Sequence, residues 1–143
     1  MDDRHTIIAD FIGRHVLAVL ATIDAEANRP EAAVVGFIQG EPLEIIFDTY
    51  SMTRKYKNLQ RNNNVALVVG WNEHITVQYE GIAEELKGEK LEHYRQIYPL
   101  KFRATEKSEH EHVLRYFSVA PTWIRYSDVS KKPWNIFEVS GVR

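Results

Sequence analysis

The sequence predicts a mainly β fold, a small closed or partly open antiparallel barrel of about seven short strands with a few peripheral helices. Three observations predict it. Apolar runs rich in β-branched and aromatic residues recur along the chain, punctuated by Gly, Pro and Asn. Strand-like runs outnumber helical ones and do not alternate with them, which argues against a doubly wound parallel sheet. Most connections are short enough for hairpins, and closing such a sheet removes its exposed edges. The 143 residues suit one domain with a real core, so a single domain over 1–143 is expected.

The elements follow in order. Asp2 or Asp3 can cap a first helix that carries Ile7, Ile8, Phe11 and Ile12 on one face and ends at Gly13. Val16 to Ile23 is a compact apolar strand, broken by turn residues from Asp24 to Pro30. Glu31 to Gln39 and Leu43 to Thr49 are two strands joined at Gly40–Pro42, so they form an antiparallel hairpin. Met52, Tyr56 and Leu59 then fall four and three apart, the spacing of a short amphipathic helix stopped by Asn62, Asn63 and Asn64. Val65 to Trp71 is a buried strand, and a long alternating strand runs from Ile75 to Leu86. Leu91, Tyr94 and Ile97 or Tyr98 stripe a helix expected to end at Pro99. A second helix is expected from Ser108, with Glu111 completing a capping box and Val113, Leu114 and Phe117 on its apolar face. Pro121 to Asp128 and Pro133 to Val139 close the chain as strands.

Composition excludes several functions. A net charge of -2 gives no global field toward nucleic acid or anionic membrane, so any anion site must be a local cluster. No cysteine is present, which removes disulfides, thiolate metal sites and cysteine nucleophiles, and fits a reducing, cytoplasmic setting. The opening MDDRHTIIADFIGRH lacks the basic start and apolar run of a signal peptide, and no stretch is apolar enough to cross a bilayer. His110 and His112 point to different faces of a helix, so no metal site is expected there. Nucleic-acid binding by a small barrel is a remote alternative, since the cations gather at one helix rather than along a groove.

The informative segment is Phe47 to Trp71. A strand ends at Thr49, a hydroxyl-rich loop runs through Thr53, and Arg54 and Lys55 open the next helix with Lys57 close behind. A helix start carries partial positive charge and free N–H groups, so cations there are unfavourable unless an anion binds among them. A phosphate monoester fits: N–H bonds from the helix end, a forked contact from Arg54, a point charge from Lys55. The competing reading is a solvated basic face.

The ordered set of a strand, Thr49-Tyr50-Ser51-Met52-Thr53-Arg54-Lys55, an Asn-terminated helix, a Val-Ala-Leu-Val-Val strand closing on Trp71, and a strand through Tyr79-Glu80-Gly81-Ile82-Ala83 resembles the pyridoxamine 5'-phosphate oxidase-like superfamily of FMN-binding split β-barrels. It is similar to the general-stress-protein branch in particular. The resemblance implies a six- to seven-stranded antiparallel split β-barrel with peripheral helices, working as a homodimer with FMN at the two-fold interface. It implies that Arg54 and Lys55 hold the FMN phosphate and that Thr49 contacts the flavin or its ribityl chain. Ala33, Val34 and Val35 would lie along the isoalloxazine ring, and Thr76 stands where the oxidases carry a Gln that meets the cofactor. Trp123, Arg125 and Trp134 would supply the pocket wall from the second subunit, although Arg125 can also pair with Asp128 or Glu138 across a hairpin.

The departures are informative. Glu31-Ala32-Ala33 stands where the oxidases carry a phosphate-holding Arg, and the Arg-x-His pair that handles pyridoxal is missing after Trp123. Pyridoxamine phosphate is therefore not the expected substrate, and FAD or a deazaflavin is an alternative to FMN. The expected function is a flavin-dependent oxidoreductase acting on an unidentified small molecule, with NAD(P)H as a candidate electron donor. The alternative is a stress or sensor protein that binds flavin or haem without turnover. No catalytic residue is assigned.

Overall fold

The computed structural model describes residues 3–101 and 113–141. Helix α1 (Asp3–Gly13) leads into strands β1 (Leu17–Asp24), β2 (Arg29–Gln39) and β3 (Ile45–Tyr50). Helix α2 (Arg54–Arg61) precedes β4 (Asn64–Val69) and β5 (Ile75–Glu85), then α3 (Gly88–Lys101), β6 (Leu114–Asp128) and β7 (Asn135–Ser140). The strands lie in the order β3-β2-β1-β4-β5-β6-β7, and β3 also pairs with β6. Six antiparallel strands thus close into a barrel, with β7 added outside on β6, as the sequence led one to expect.

Inward residues of the strands, among them Leu20, Phe37, Phe47, Leu67, Tyr79 and Ile124, make one core cluster. Helix α1 adds Ile8, Phe11 and Ile12 to it, all at most 2% exposed, and Gln39 Nε2 donates to Ala9 O at 3.1 Å to fix the helix on β2. Gly70, at φ 78°, lies so close to Phe11 that a Cβ there would stand 2.4 Å from the ring. The buried Tyr79 hydroxyl reaches the Leu43 and Val119 carbonyls at 2.7 and 3.0 Å, and burial pushes its ionisation far up. A satellite cluster of Ile38, Ile46, Leu86, Tyr98 and Tyr116 seats α3 on the barrel.

Two expectations are corrected. Leu114 and Phe117 belong to β6, not to a helix, because β6 is claimed on both sides: Leu114 faces Tyr50 and Phe117 faces both Phe47 and Glu85. Of the expected helix, residues 108–112 lie outside the described residues. Helix α3 runs past Pro99 to Lys101; the proline sits in the last turn, next to Tyr98, whose hydroxyl donates toward Gly36 O and Asp48 Oδ1 at 2.7 and 2.8 Å. That tether holds the final turn against the barrel despite the missing N–H.

Strand β6 contains Pro121, which pairs with Gly81, while Trp123 pairs with Glu80. Thr122 is the extra residue of this bulge, where a proline without an N–H is tolerated. Gly81 is required opposite it, since a Cβ would meet Ala120 O at 2.4 Å.

Candidate functional site

Strands β2 and β3 pair only at Phe37, Ile38 and Gln39. From Gly36 back to Arg29, β2 has β1 on one side and, among the described residues, no strand on the other. The edge groups can be assigned. Phe37 N–H donates to Val16 O, on the β1 side, whereas Gly36 O accepts from Tyr98 on the opposite side. Alternate residues share an edge, so the N–H and C=O of Val34 and Ala32 face the gap with no strand beside them. The barrel is split here, and Tyr98 closes the gap at one end.

Helix α2 stands at the other end. Thr53 caps it, accepting from Tyr56 N–H at 3.2 Å and donating to Tyr50 O at 2.9 Å. Its single proton is thereby committed, so the 2.8 Å contact with Thr49 is a donation from Thr49 Oγ1. Thr49 is buried at 5% exposure. The structure uses its proton to brace the loop that enters α2.

The cation run at α2 is largely answered by carboxylates. Arg54 Nη1 lies 2.9 Å from Glu31 Oε2, Arg61 Nη1 lies 2.7 Å from Glu26 Oε1, and Lys57 Nζ is 4.0 Å from the same Glu26 oxygen. Arg54 is itself 79% exposed. Asn58, buried on the inner face of α2, spends both amide protons: one on Glu31 Oε1 at 2.8 Å, one on Thr22 Oγ1 at 3.0 Å. A cleft of about 120 Å³ is lined by Asp24, Glu26, Glu31, Arg54, Lys57 and Arg61. Half-buried Lys55, in the same first turn, has no carboxylate or hydrogen-bond partner among the described residues. Nearby, the Glu85 carboxylate accepts from the Tyr56 hydroxyl at 2.9 Å and raises its ionisation above the usual tyrosine value.

The other expected site residues are distributed as follows. Val34 is 59% exposed on the outer face of β2, while Val35 at 5% points into the core and Ala33 is half-buried. Thr76 stands on β5 and donates to Val69 O at 3.4 Å. Trp123 Nε1 and Arg125 Nη1 both donate to Glu138, at 2.8 and 2.7 Å, and their hydrogen bonds hold that carboxyl below the usual carboxylate range. Trp134 is 60% exposed in the turn before β7. Within one chain these residues do not meet α2: β3 contacts β6 only from Leu114 to Val119, and Trp123 and Arg125 lie beyond the bulge. Arg54, Lys55, Thr49 and Val34 gather around the gap; Thr76, Trp123, Arg125 and Trp134 do not.

Asn58 and Tyr98 were missed by sequence reasoning. Asn58 had a weak signal, a polar residue beside Leu59 on the inner face of an amphipathic helix. Tyr98 had none, because its partners lie 50 and 62 residues away. The described residues hold no group of three metal-ligating side chains, and no helix among them is long and apolar enough to cross a membrane.

The model of the family described as pyridoxamine 5'-phosphate oxidase matches residues 6–128. The chain belongs to that family. No curated protein matches it in sequence. General stress protein 26 from Bacillus anthracis superposes with a TM-score of 0.74 at 16% identity, over 96% of this chain and 100% of its own. A pyridoxamine 5'-phosphate oxidase-related, FMN-binding protein from Nostoc punctiforme gives 0.68 at 11% identity, over 96% and 87%. A heme-binding protein from Mycobacterium smegmatis gives 0.71 at 16% identity, over 96% of this chain and 58% of its own. At these identities the likenesses establish the shared fold, and the family match is what ties the split barrel to its relatives.

Proposed function

We propose that the protein binds a phosphate-bearing flavin, FMN or a close analogue, as a homodimer, and acts as a cytoplasmic flavin-dependent oxidoreductase on a small molecule. The observation that carries this reading is the free edge of β2. Val34 and Ala32 offer backbone N–H and C=O groups along a gap, the polar line a flavin's pyrimidine edge requires, and α2 opens beside it with Lys55 unpaired among the described residues. A phosphate ester fits this end: N–H groups of the first turn, the Lys55 ammonium, and the remaining donors of Arg54. The flavin supplies the electron transfer; the chain binds it, orients it and shields it from water.

A second copy is supported by the outer face of the sheet. Val34, Val19 and Val68 form one row across β2, β1 and β4, and Ala32, Ala21 and Ala66 the next. Val34 and Val68 are exposed, and a depression of about 320 Å³ on the sheet is lined by Ala21, Ile23 and Ala66 with Asn64, Glu80 and Thr122 at its polar side. Adjacent exposed rows of valine and alanine support reading this face as an interface. A partner seated there would bring its own β6–β7 hairpin toward a gap that one chain leaves open.

The test is direct. Purified protein incubated with FMN should turn yellow and sediment at twice the chain mass, and NADH or NADPH should bleach the colour. Arg54→Ala combined with Lys55→Ala should weaken FMN roughly tenfold or more while sparing riboflavin. A protein that stays colourless with FMN, FAD and a deazaflavin refutes the reading. Flavin uptake without bleaching leaves a passive binder.

A further inference from the structure

The proposed phosphate clamp contains its own carboxylate. Glu31 Oε2 lies 2.9 Å from Arg54 Nη1, and Glu31 Oε1 accepts from Asn58 Nδ2 at 2.8 Å. The Glu31 side chain is only 19% exposed, and Asn58 is buried at 6% and anchored a second time on Thr22. Glu31 therefore cannot swing clear of Arg54 without leaving a buried amide proton unpaired, which is costly. Its negative charge stays in place while a ligand binds.

The charges around it set what that ligand can be. Asp24, Glu26 and Glu31 face Arg54, Lys57 and Arg61 across the cleft, so the cleft itself is neutral. Lys55 is the cation of the first turn left uncommitted among the described residues. Resting on the flavin reading above, we infer that Glu31 is a charge selector: the site takes a flavin whose phosphate is a singly charged diester in preference to the monoester of FMN. A phosphate monoester carries close to two negative charges near neutral pH, since its second proton leaves at about pH 6. A diester carries one, which Lys55 matches. Arg54 keeps its single contact with Glu31 Oε2 and still has guanidinium donors for one ester oxygen. A doubly charged group would set a second anionic oxygen against the Glu31 carboxylate at short range, in a site partly screened from water.

The experiment compares three ligands that share a ring and differ at the phosphate: FMN, its methyl phosphodiester, and riboflavin. Each is titrated by flavin fluorescence into the native protein and into Glu31→Gln. The amide keeps an oxygen for Asn58, so the fold is retained; Glu31→Ala, which lacks that oxygen, must give the same sign. The native protein should hold the methyl diester at least as tightly as FMN. Glu31→Gln should tighten FMN about tenfold, the diester about threefold, and riboflavin not at all. An unchanged ratio of FMN to diester between the native protein and both variants overturns the selector, as does a Glu31→Gln protein that binds FMN more weakly. If none of the three ligands binds the native protein, the flavin reading falls and the selector falls with it.

Discussion

The two ends of the barrel are plugged by different chemistry. At the end where β1 begins, α1 fills the opening with Ile8, Phe11 and Ile12, and nothing polar is asked of them. At the end where β1 finishes, α2 covers the opening with Leu59 but also with Asn58, which hydrogen-bonds buried Thr22 and Glu31. An apolar plug is held by area and tolerates any snug replacement. A polar plug is held by partners, and each partner lost leaves a buried group unsatisfied. The difference teaches that the α1 end serves stability, whereas the α2 end gives up some packing to keep directed donors and charges beside the split.

Three changes break or sharpen that comparison. Phe11→Ala should cost about 3–5 kcal/mol of unfolding free energy, because the ring fills the space against Gly70 and Tyr126 and its loss leaves a cavity. Denaturant melts measure it, and a loss below about 1 kcal/mol would mean the plug is not packed as described. Asn58→Ala should cost about 1–3 kcal/mol by the same assay, through Thr22 and Glu31 rather than through volume; it should also alter flavin affinity, which Phe11→Ala should not while the protein remains folded. Equal effects of both variants on affinity would erase the distinction between the ends. Smallest of all, Glu138→Gln should leave the neutral-pH melt unchanged within error. Its signature is in acid. The hydrogen bonds from Trp123 and Arg125 hold the folded carboxyl below its unfolded value, so the unfolded chain binds the proton first and stability falls as pH drops through the carboxylate range. The variant should flatten that fall slightly, and a steeper fall would contradict the assignment.

Much of this was legible in the sequence, for reasons that particular residues make plain. Arg54 opens α2 where the run of cations marked its start, and Tyr56 and Leu59, three apart, give its inward face; Met52, expected on the same stripe, stands before the helix and is exposed. The β2–β3 hairpin was legible because Gly40 and Pro42 mark its turn locally. The first half of β6 was not. Val113, Leu114 and Phe117 fit a helical stripe as well as a strand, and only pairing with β3 on one side and β5 on the other decides between them. Nor was the true setting of the cations. Arg54 and Glu31 are 23 positions apart, and their contact exists only once the β1–β2 pair has placed Glu31 against α2. The helix cations looked as if they awaited an anion; three of them already have one, supplied by the protein.

Thr122 carries a consequence out of proportion to its size. Before it, Phe117, Val119 and Pro121 are buried; after it, Ile124 and Tyr126 are. The inward set changes from odd to even numbers at that one residue. Deleting it would exchange the two surfaces of everything downstream, driving a tryptophan and a guanidinium into the hydrocarbon interior and turning Ile124 and Tyr126 out to water. A lone threonine thus acts as the hinge of parity for the hairpin, and decides which face that hairpin can show to another molecule.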